Sequence, residues 1–147
     1  MTTRKTVIRK AKVGDYSRCL PLLTSLYHGD IGADFKNTFG SFITGDSSVV
    51  LLAQSPGGVI GILIGSYQID IDWEGKTARI DAIVVDKKHR RTGIGKQLAH
   101  YFITLAEEQK CKAVKSRVNR KNEEAQKFHE SLGFARADTY EYMLDFS

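Results

Sequence analysis

The sequence predicts a mixed α/β (α+β) fold with one mostly antiparallel central sheet flanked by helices. An apolar strand over residues 80–85 leads into a basic, glycine-containing loop that opens a long helix. Three consecutive strands joined by turns end at that loop, which excludes a simple βαβαβ arrangement. The 147 residues contain no repeat, linker or low-complexity segment, so we expect a single domain over residues 1–147.

The first part of the chain, up to residue 43, is predicted to form one strand and two helices. A short strand over 6–9 precedes a turn in which Asp15 is placed to cap the next helix. That helix carries apolar residues at helical spacing: Cys19, Leu20, Leu22, Leu23 and Leu26. A shorter helix over 35–43 follows a loop that contains Asp30 and Asp34. The two acidic residues suit attraction of a cationic ligand, although loops are commonly acidic for solubility alone.

The remaining elements are mostly strands. The first three lie over 48–53, 59–70 and 77–85. The turn Ser-Pro-Gly-Gly over 55–58 separates the first two, and the turn Trp-Glu-Gly-Lys over 73–76 precedes the third. The long helix begins at Gly95, and a later helix contains Ala125, Phe128 and Leu132. Three further strands are predicted, over 113–118, 134–137 and 140–146. The predicted order is therefore β-α-α-β-β-β-α-β-α-β-β.

Positive charge is concentrated in one loop. The formal net charge is +5, and the segment 87–96 alone carries five lysines and arginines and no acidic residue. Proteins that bind nucleic acid usually carry a broader basic stripe, so we expect no nucleic-acid partner. A compact polyanion fits this single basic loop better.

Composition also bounds the location of the protein. No apolar run approaches the roughly 20 residues needed to cross a bilayer, and the N-terminus lacks a signal-peptide core. The two cysteines, Cys19 and Cys111, lie far apart and indicate reduced thiols. We expect a cytoplasmic protein with no membrane partner and no metal site.

The loop sequence Arg90-x-x-Gly93-x-Gly95 suits binding of polyphosphate. Helix N-terminal N–H groups lack intrahelical partners, and glycines let a backbone approach an anion closely. A Walker A motif fails because Arg90 and Gln97 stand where glycine and Ser or Thr are required. A dinucleotide fingerprint fails because Leu98 stands where Gly or Ala is required.

The segment Arg90-x-x-Gly93-x-Gly95 resembles the acyl-CoA pyrophosphate loop of the GCN5-related N-acetyltransferase (GNAT) superfamily. A second segment, from Asn122 through Ala125, Phe128 and His129 to Gly133-Phe134, is similar to the family's Asn-x-x-Ala-x-x-x-Tyr-x-x-x-Gly-Phe motif. The two motifs have the family's usual separation. The predicted element order also matches the GNAT fold over essentially the whole chain.

The resemblance implies acetyl-CoA as co-substrate and assigns residues to it. In the family, the strand before the loop carries a bulge and parts from the next strand to admit the pantetheine. Backbone groups of Ile83, Val84 and Val85 would bind the pantetheine and polarise the acetyl carbonyl. Asn122 and Phe128 would contact the pantetheine arm, unless Asn122 is only a helix cap and Phe128 only core. The pyrophosphate would be held by the loop: Arg90, Arg91, Thr92, Gly93, Ile94, Gly95 and Lys96.

Two residues are candidate catalysts. Asp81 lies within an apolar strand, where a buried carboxylate needs a partner or a purpose, and it is the candidate general base. The alternative is an ion pair with Arg79, Lys115 or Arg117. His129 replaces the family's usual Tyr and is the candidate acid that protonates the leaving thiolate. The alternative is a histidine satisfied within the fold, which would leave the proton to Tyr140, Tyr142 or water.

The resemblance therefore implies an N-acetyltransferase in which a primary amine attacks acetyl-CoA directly in a ternary complex. The acceptor is open: an aminoglycoside or polyamine, or a protein amine. Acidic residues mildly favour a cationic acceptor: Asp30, Asp34, Asp70, Asp72 and Glu141. The alternatives are a non-catalytic acyl-CoA sensor and a small nucleic-acid-binding domain. Apolar residues in the last predicted strand would suit a homodimer edge: Tyr142, Met143, Leu144 and Phe146.

Overall fold

The computed structural model describes residues 5–147. Its strands are β1 (Val7–Lys10), β2 (Ser48–Ser55), β3 (Gly58–Asp70), β4 (Gly75–Val85) and β5 (Val114–Ser116). Its α-helices are α1 (Tyr16–Leu26), α2 (Phe35–Thr44), α3 (Ile94–Glu108) and α4 (Glu123–Ser131). The strands form one sheet in the order β1-β2-β3-β4-β5, antiparallel except for the parallel pair β4–β5. The predicted fold class is confirmed.

The chain divides into two compact units. The first ends at Arg117 and contains the sheet with α1, α2 and α3. The second, Val118–Ser147, contains α4. Each unit is described below by itself, and the single domain expected from chain length stays a prediction.

Both faces of the sheet in the first unit are covered by helices. On one face, α1 and α2 bury residues such as Leu23 and Phe39 against Ile62 and Ile64 of β3. On the other, Phe102 of α3 is fully buried against Gly65 of β3. Each such large side chain contributes about 1.5–3 kcal/mol to folding through burial. The near-continuous apolar pattern of β2, β3 and β4 follows from this two-sided cover.

Strand β4 carries a β-bulge at Asp81. Ile64 lies opposite Ala82, whereas the next residue of β3, Gly65, lies opposite Ile80. Asp81 is the additional residue on β4 and has no partner in the ladder with β3. Because a bulge leaves its extra residue unpaired and re-aims its side chain, it sets the direction of Asp81. The bulge expected from the resemblance is therefore present.

The C-terminal part of the predicted order is wrong in detail. Strand β5 has three residues rather than the six predicted over 113–118. In the part of the chain that the structure describes, no strand is assigned over 134–137 or 140–146. Residues of the last segment are highly exposed, Tyr140 by 88% and Phe146 by 92%. Alternating apolar residues form a strand only when a neighbouring strand supplies hydrogen bonds, and the assigned ladders include none of these residues.

No helix within residues 5–147 is long and apolar enough to cross a membrane.

Candidate active site

The part of β4 beyond the bulge is the first component of the site. Ile83, Val84 and Val85 pair with β3 on one side. On the other side, the parallel ladder with β5 ends at the pair Ile80–Ser116. Among the described strands, none extends that ladder past the bulge. Beyond the bulge, this edge of β4 therefore has no assigned strand partner among the described residues.

The basic loop that follows β4 is held by its own side chains. A short 3-10 turn over Lys87–His89 is closed by the side chains of Asp86 and His89, whose Oδ2 and Nδ1 atoms lie 3.0 Å apart. The hydroxyl of Thr92 donates to the carbonyl of His89. Nε of Arg90 donates to the carbonyl of Val85 at 3.3 Å. The loop is thus folded back on the end of β4, which positions its cations.

The loop ends at an open helix N-terminus. Arg91 and Gly93 both adopt positive φ, 61° and 86°, which turns the backbone sharply into α3. Gly93 is the N-cap, and no side chain caps the helix. No atom lies within 4 Å of the position that a Cβ on Gly93 would take. The first N–H groups of this 15-residue helix, with Lys96 exposed beside them, therefore suit an anion that approaches along the backbone.

Asp81 is exposed, which corrects the expectation of a buried carboxylate. The apolar residues around it in sequence indicated burial, but the bulge removes Asp81 from the alternation of the strand. Its Oδ2 accepts a hydrogen bond of 2.7 Å from the hydroxyl of Ser66. Of the alternative ion-pair partners, Lys115 is bound to Asp70 at 2.6 Å.

Tyr27, just after α1, lies in the electrostatic range of Asp81. Burial raises the pKa of the Tyr27 phenol, and the negative charge of Asp81 raises it further. The Tyr27 ring packs edge-on against Phe35, with ring centres 5.4 Å apart. The site in the first unit thus contains the exposed carboxylate of Asp81, the hydroxyl of Ser66 and the aromatic ring of Tyr27.

Sequence reasoning missed Ser66 and Tyr27. Neither residue belongs to a motif, and each gains its place through long-range packing. The pairing of β3 with β4 could have pointed to Ser66, because it places Ser66 opposite Arg79 and next to the bulge.

In the second unit, the N-terminus of α4 is capped by Asn122. The Asn122 side-chain oxygen accepts a hydrogen bond of 3.0 Å from the N–H of Ala125. Asn122 therefore acts as the N-cap of α4, which is the structural role given above as the alternative to pantetheine binding.

His129 is buried on α4, at 8% exposure. Its Nδ1 lies 2.8 Å from the carbonyl of Ala125. Because a carbonyl only accepts, Nδ1 carries the proton of this hydrogen bond. The rings of Phe128 and Phe134 pack edge-on against the imidazole, at 5.4 and 5.3 Å between ring centres. A proton donated elsewhere would come from Nε2, which carries one in the imidazolium form.

The bulged strand, basic loop and open helix of the first unit are features of an acyl-CoA-dependent acyltransferase. A model of the acetyltransferase (GNAT) family matches residues 20–134, and the chain belongs to this family. The predicted enzyme class, an N-acetyltransferase, is confirmed. No curated protein sequence matches the chain.

Solved structures share the fold at low sequence identity. Aminoglycoside N-acetyltransferase AAC(6')-Iy in complex with CoA matches with a TM-score of 0.88 and 20% identity, covering 99% of this chain and 98% of that one. AAC(6')-Ih from Acinetobacter baumannii gives 0.85 and 21%, covering 96% and 98%. A ribosomal-protein-alanine N-acetyltransferase from Brucella melitensis biovar Abortus 2308 gives 0.79 and 23%, covering 95% and 99%.

Proposed function

We propose that the protein transfers an acetyl group from acetyl-CoA to a primary amine by direct attack. The observation that carries this proposal is the continuous unit from the bulge at Asp81, through the basic loop, to the uncapped N-terminus of α3. Acetyl-CoA placed along this edge of β4, beyond the end of the ladder with β5, would have its pyrophosphate at that helix N-terminus. The backbone of Ile83, Val84 and Val85 would then lie beside the acetyl group.

Residues of the loop are proposed to hold the phosphates in two ways. Backbone N–H groups at the start of α3 bind the pyrophosphate, helped by the positive end of the helix dipole. Arg90, Arg91 and Lys96 are all exposed and add charge-assisted contacts. In the second unit, Asn122 and Phe128 are proposed to contact the pantetheine arm.

Asp81 is the proposed general base. Its exposed carboxylate can take a proton from an ammonium acceptor, directly or through water, which makes the amine nucleophilic. The amine nitrogen then forms a bond to the acetyl carbon, and negative charge develops on the carbonyl oxygen. Backbone N–H groups of β4 stabilise that charge until the carbon–sulfur bond breaks. As the thiolate leaves and the amide forms, the nitrogen releases its second proton to water.

His129 is the proposed acid for the CoA thiolate, on the basis of the family motif. The Nδ1–H group of His129 is committed to Ala125, so the transferred proton comes from Nε2 of the imidazolium. If His129 is only a satisfied helix residue, Tyr140, Tyr142 or water supplies the proton, and the substitution of His129 leaves turnover unchanged.

The proposed acceptor class is a cationic amine. Asp81 and the aromatic ring of Tyr27 offer a carboxylate and a π face, which both attract an ammonium group. The exposed carboxylates of Asp30 and Asp34 belong to the loop between α1 and α2 and add negative charge in the same unit. Two of the similar structures are named as aminoglycoside N-acetyltransferases and one as a ribosomal-protein-alanine N-acetyltransferase. We therefore propose to test both small-molecule amines and protein amines as acceptors.

The test is acetyl transfer from acetyl-CoA to a panel of amines. The panel contains kanamycin, spermidine and a peptide with an N-terminal alanine, and release of CoA thiol is measured together with the mass of the product. A mass gain of one acetyl group on an amine supports the proposal. Binding of acetyl-CoA without any acetylated amine would instead support the non-catalytic sensor. The cytoplasmic location and the homodimer edge stay predictions.

A further inference from the structure

We propose that Ser66 is a positioning residue that holds the Asp81 carboxylate on the face of the sheet covered by α1 and α2. This inference rests on the proposed function, in which Asp81 accepts the proton of the amine. Ser66 itself is not expected to touch the reacting atoms.

The bulge makes such a holding residue necessary. Ladder hydrogen bonds fix the backbone of regular strand residues, but Asp81 has no ladder partner on β3. Its side chain is exposed, so close packing does not fix its rotamer. The hydroxyl of Ser66 donates to Oδ2 at 2.7 Å and supplies the missing constraint. Oδ1 is then the oxygen available to accept a proton from the amine.

The alternation of β3 shows which face receives the carboxylate. Ile62 and Ile64 pack in the core cluster with residues of α1 and α2. Because successive side chains of a strand point to opposite faces, Ser66 shares the face of Ile64. Gly65, between them, faces Phe102 of α3 instead. The hydrogen bond to Ser66 therefore draws Asp81 to the side of α1 and α2.

Neighbouring groups agree with this placement. Just after α1, Tyr27 lies within the electrostatic range of Asp81: burial raises the pKa of its phenol, and the charge of Asp81 raises it further. From β4, Arg79 lies directly opposite Ser66. From β5, Lys115 is already bound to Asp70. Tyr27 and Arg79 are thus a titratable and a charged side chain placed to modulate Asp81 beside Ser66.

Because Asp81 is exposed, the hydrogen bond from Ser66 can orient its carboxylate without contributing much to the stability of the fold. A buried carboxylate without a partner strongly destabilises the folded state, so its hydrogen bond would be a requirement of folding. An exposed carboxylate is solvated by water, and a single hydrogen bond there contributes little net stability. The consequence of the Ser66 bond is therefore the orientation of Asp81, and its loss should lower turnover without lowering the melting temperature.

The experiment compares Ser66→Ala, Ser66→Cys and Ser66→Thr with Ser48→Ala as matched control. Ser48 lies opposite Ser66 on β2, is similarly half-buried, and donates to the carbonyl of Phe42 at 2.8 Å. Turnover is measured with acetyl-CoA and the panel amine that is acetylated best, kanamycin, spermidine or the alanine peptide. Asp81→Asn and the double variant with Ser66→Ala complete a mutant cycle.

We expect Ser66→Ala and Ser66→Cys to lower kcat about tenfold, with the KM for acetyl-CoA and the melting temperature unchanged. Ser66→Thr should restore activity to within about threefold, because it keeps the hydroxyl. In the Asp81→Asn background, Ser66→Ala should have no further effect, because the group it positions is gone. Ser48→Ala should leave kcat unchanged.

Wild-type kcat in Ser66→Ala, or a further loss from Ser66→Ala in the Asp81→Asn background, overturns the inference alone. Wild-type activity of Asp81→Asn overturns the base assignment in the proposed function as well. A crystal structure of Ser66→Ala gives a readout that needs no acceptor. The Asp81 side chain should adopt several rotamers there but one rotamer in Ser66→Thr, and a single unchanged rotamer in Ser66→Ala contradicts the inference.

Discussion

Asp15 accepts hydrogen bonds from Nη1 and Nη2 of Arg9, at 2.8 and 2.9 Å, in a bidentate pair at the start of α1. Its Oδ2 also accepts a hydrogen bond of 2.7 Å from the backbone N–H of Lys12. No side-chain bond from Asp15 caps α1, which corrects the role predicted from the sequence. The carboxylate instead ties β1 to the helix, and Arg9 holds the pKa of Asp15 down at about 2.

This pair should make the free energy of unfolding depend on pH in acid. The pKa of Asp15 is depressed in the folded state from its ordinary value of 3.8, so its stabilisation is complete above about pH 4. It is lost as the pH falls through about 2. At pH 7, Asp15→Asn should cost about 2 kcal/mol.

Urea unfolding of wild type and Asp15→Asn at several pH values checks this expectation. The difference between the two proteins should shrink between about pH 4 and pH 2. Asp46→Asn, which changes an exposed carboxylate, serves as the control and should leave the free energy of unfolding unchanged. A constant difference between wild type and Asp15→Asn over this range contradicts the assignment.

Gly65 should tolerate no side chain. A Cβ at this position would lie 2.6 Å from Cζ of Phe102 and closer still to Cε1, and Phe102 is fully buried. Gly65→Ala should therefore cost at least about 1–3 kcal/mol in denaturant unfolding. Adding Phe102→Leu should recover part of that loss.

Gly40→Ala is the matched control for Gly65. Gly40 lies within α2, and no atom approaches its Cβ position within 4 Å. The higher helix propensity of alanine should stabilise the protein by up to about 1 kcal/mol. Equal stability of Gly65→Ala and wild type would show that α3 does not pack as closely on β3 as the structure has it.

His129 should act through a proton on Nε2. His129→Phe removes that donor, and we expect kcat to fall about tenfold or more in the acetyl-transfer assay with acetyl-CoA affinity retained. His129→Tyr restores a donor and should recover much of the activity. Activity of His129→Phe equal to wild type would leave His129 as a structural residue packed between Phe128 and Phe134.

The sequence predicted most elements because their patterns are local. Glycine spacing in the basic loop and the apolar run of β4 indicated the strand-loop-helix unit with correct bounds near Val85 and Ile94. The setting of Asp81 could not be inferred from its neighbours, because exposure depends on the register shift opposite Gly65. The hydroxyl of Ser66 meets Asp81 only through that same long-range pairing.

The strands predicted over 134–137 and 140–146 show that a local pattern can also predict an element that the structure does not contain in its described part. Tyr140, Tyr142, Leu144 and Phe146 alternate with other residues as in a strand, yet no ladder in the described part of the chain includes them. Alternation describes which side chains would share a face. It does not supply the neighbouring strand on which a strand depends.

The measurement that tests the account most directly is calorimetric titration of acetyl-CoA into wild type, Gly93→Asp and Gly29→Asp. Gly93 and Gly29 share a positive φ, 86° and 81°, and have open space at the Cβ position, but Gly29 lies outside the basic loop. We predict micromolar binding by wild type and Gly29→Asp, and loss of binding in Gly93→Asp, whose carboxylate would repel the pyrophosphate at the N-terminus of α3. Absence of binding by wild type, or equal affinity of all three proteins, would contradict the assignment of this loop to acetyl-CoA.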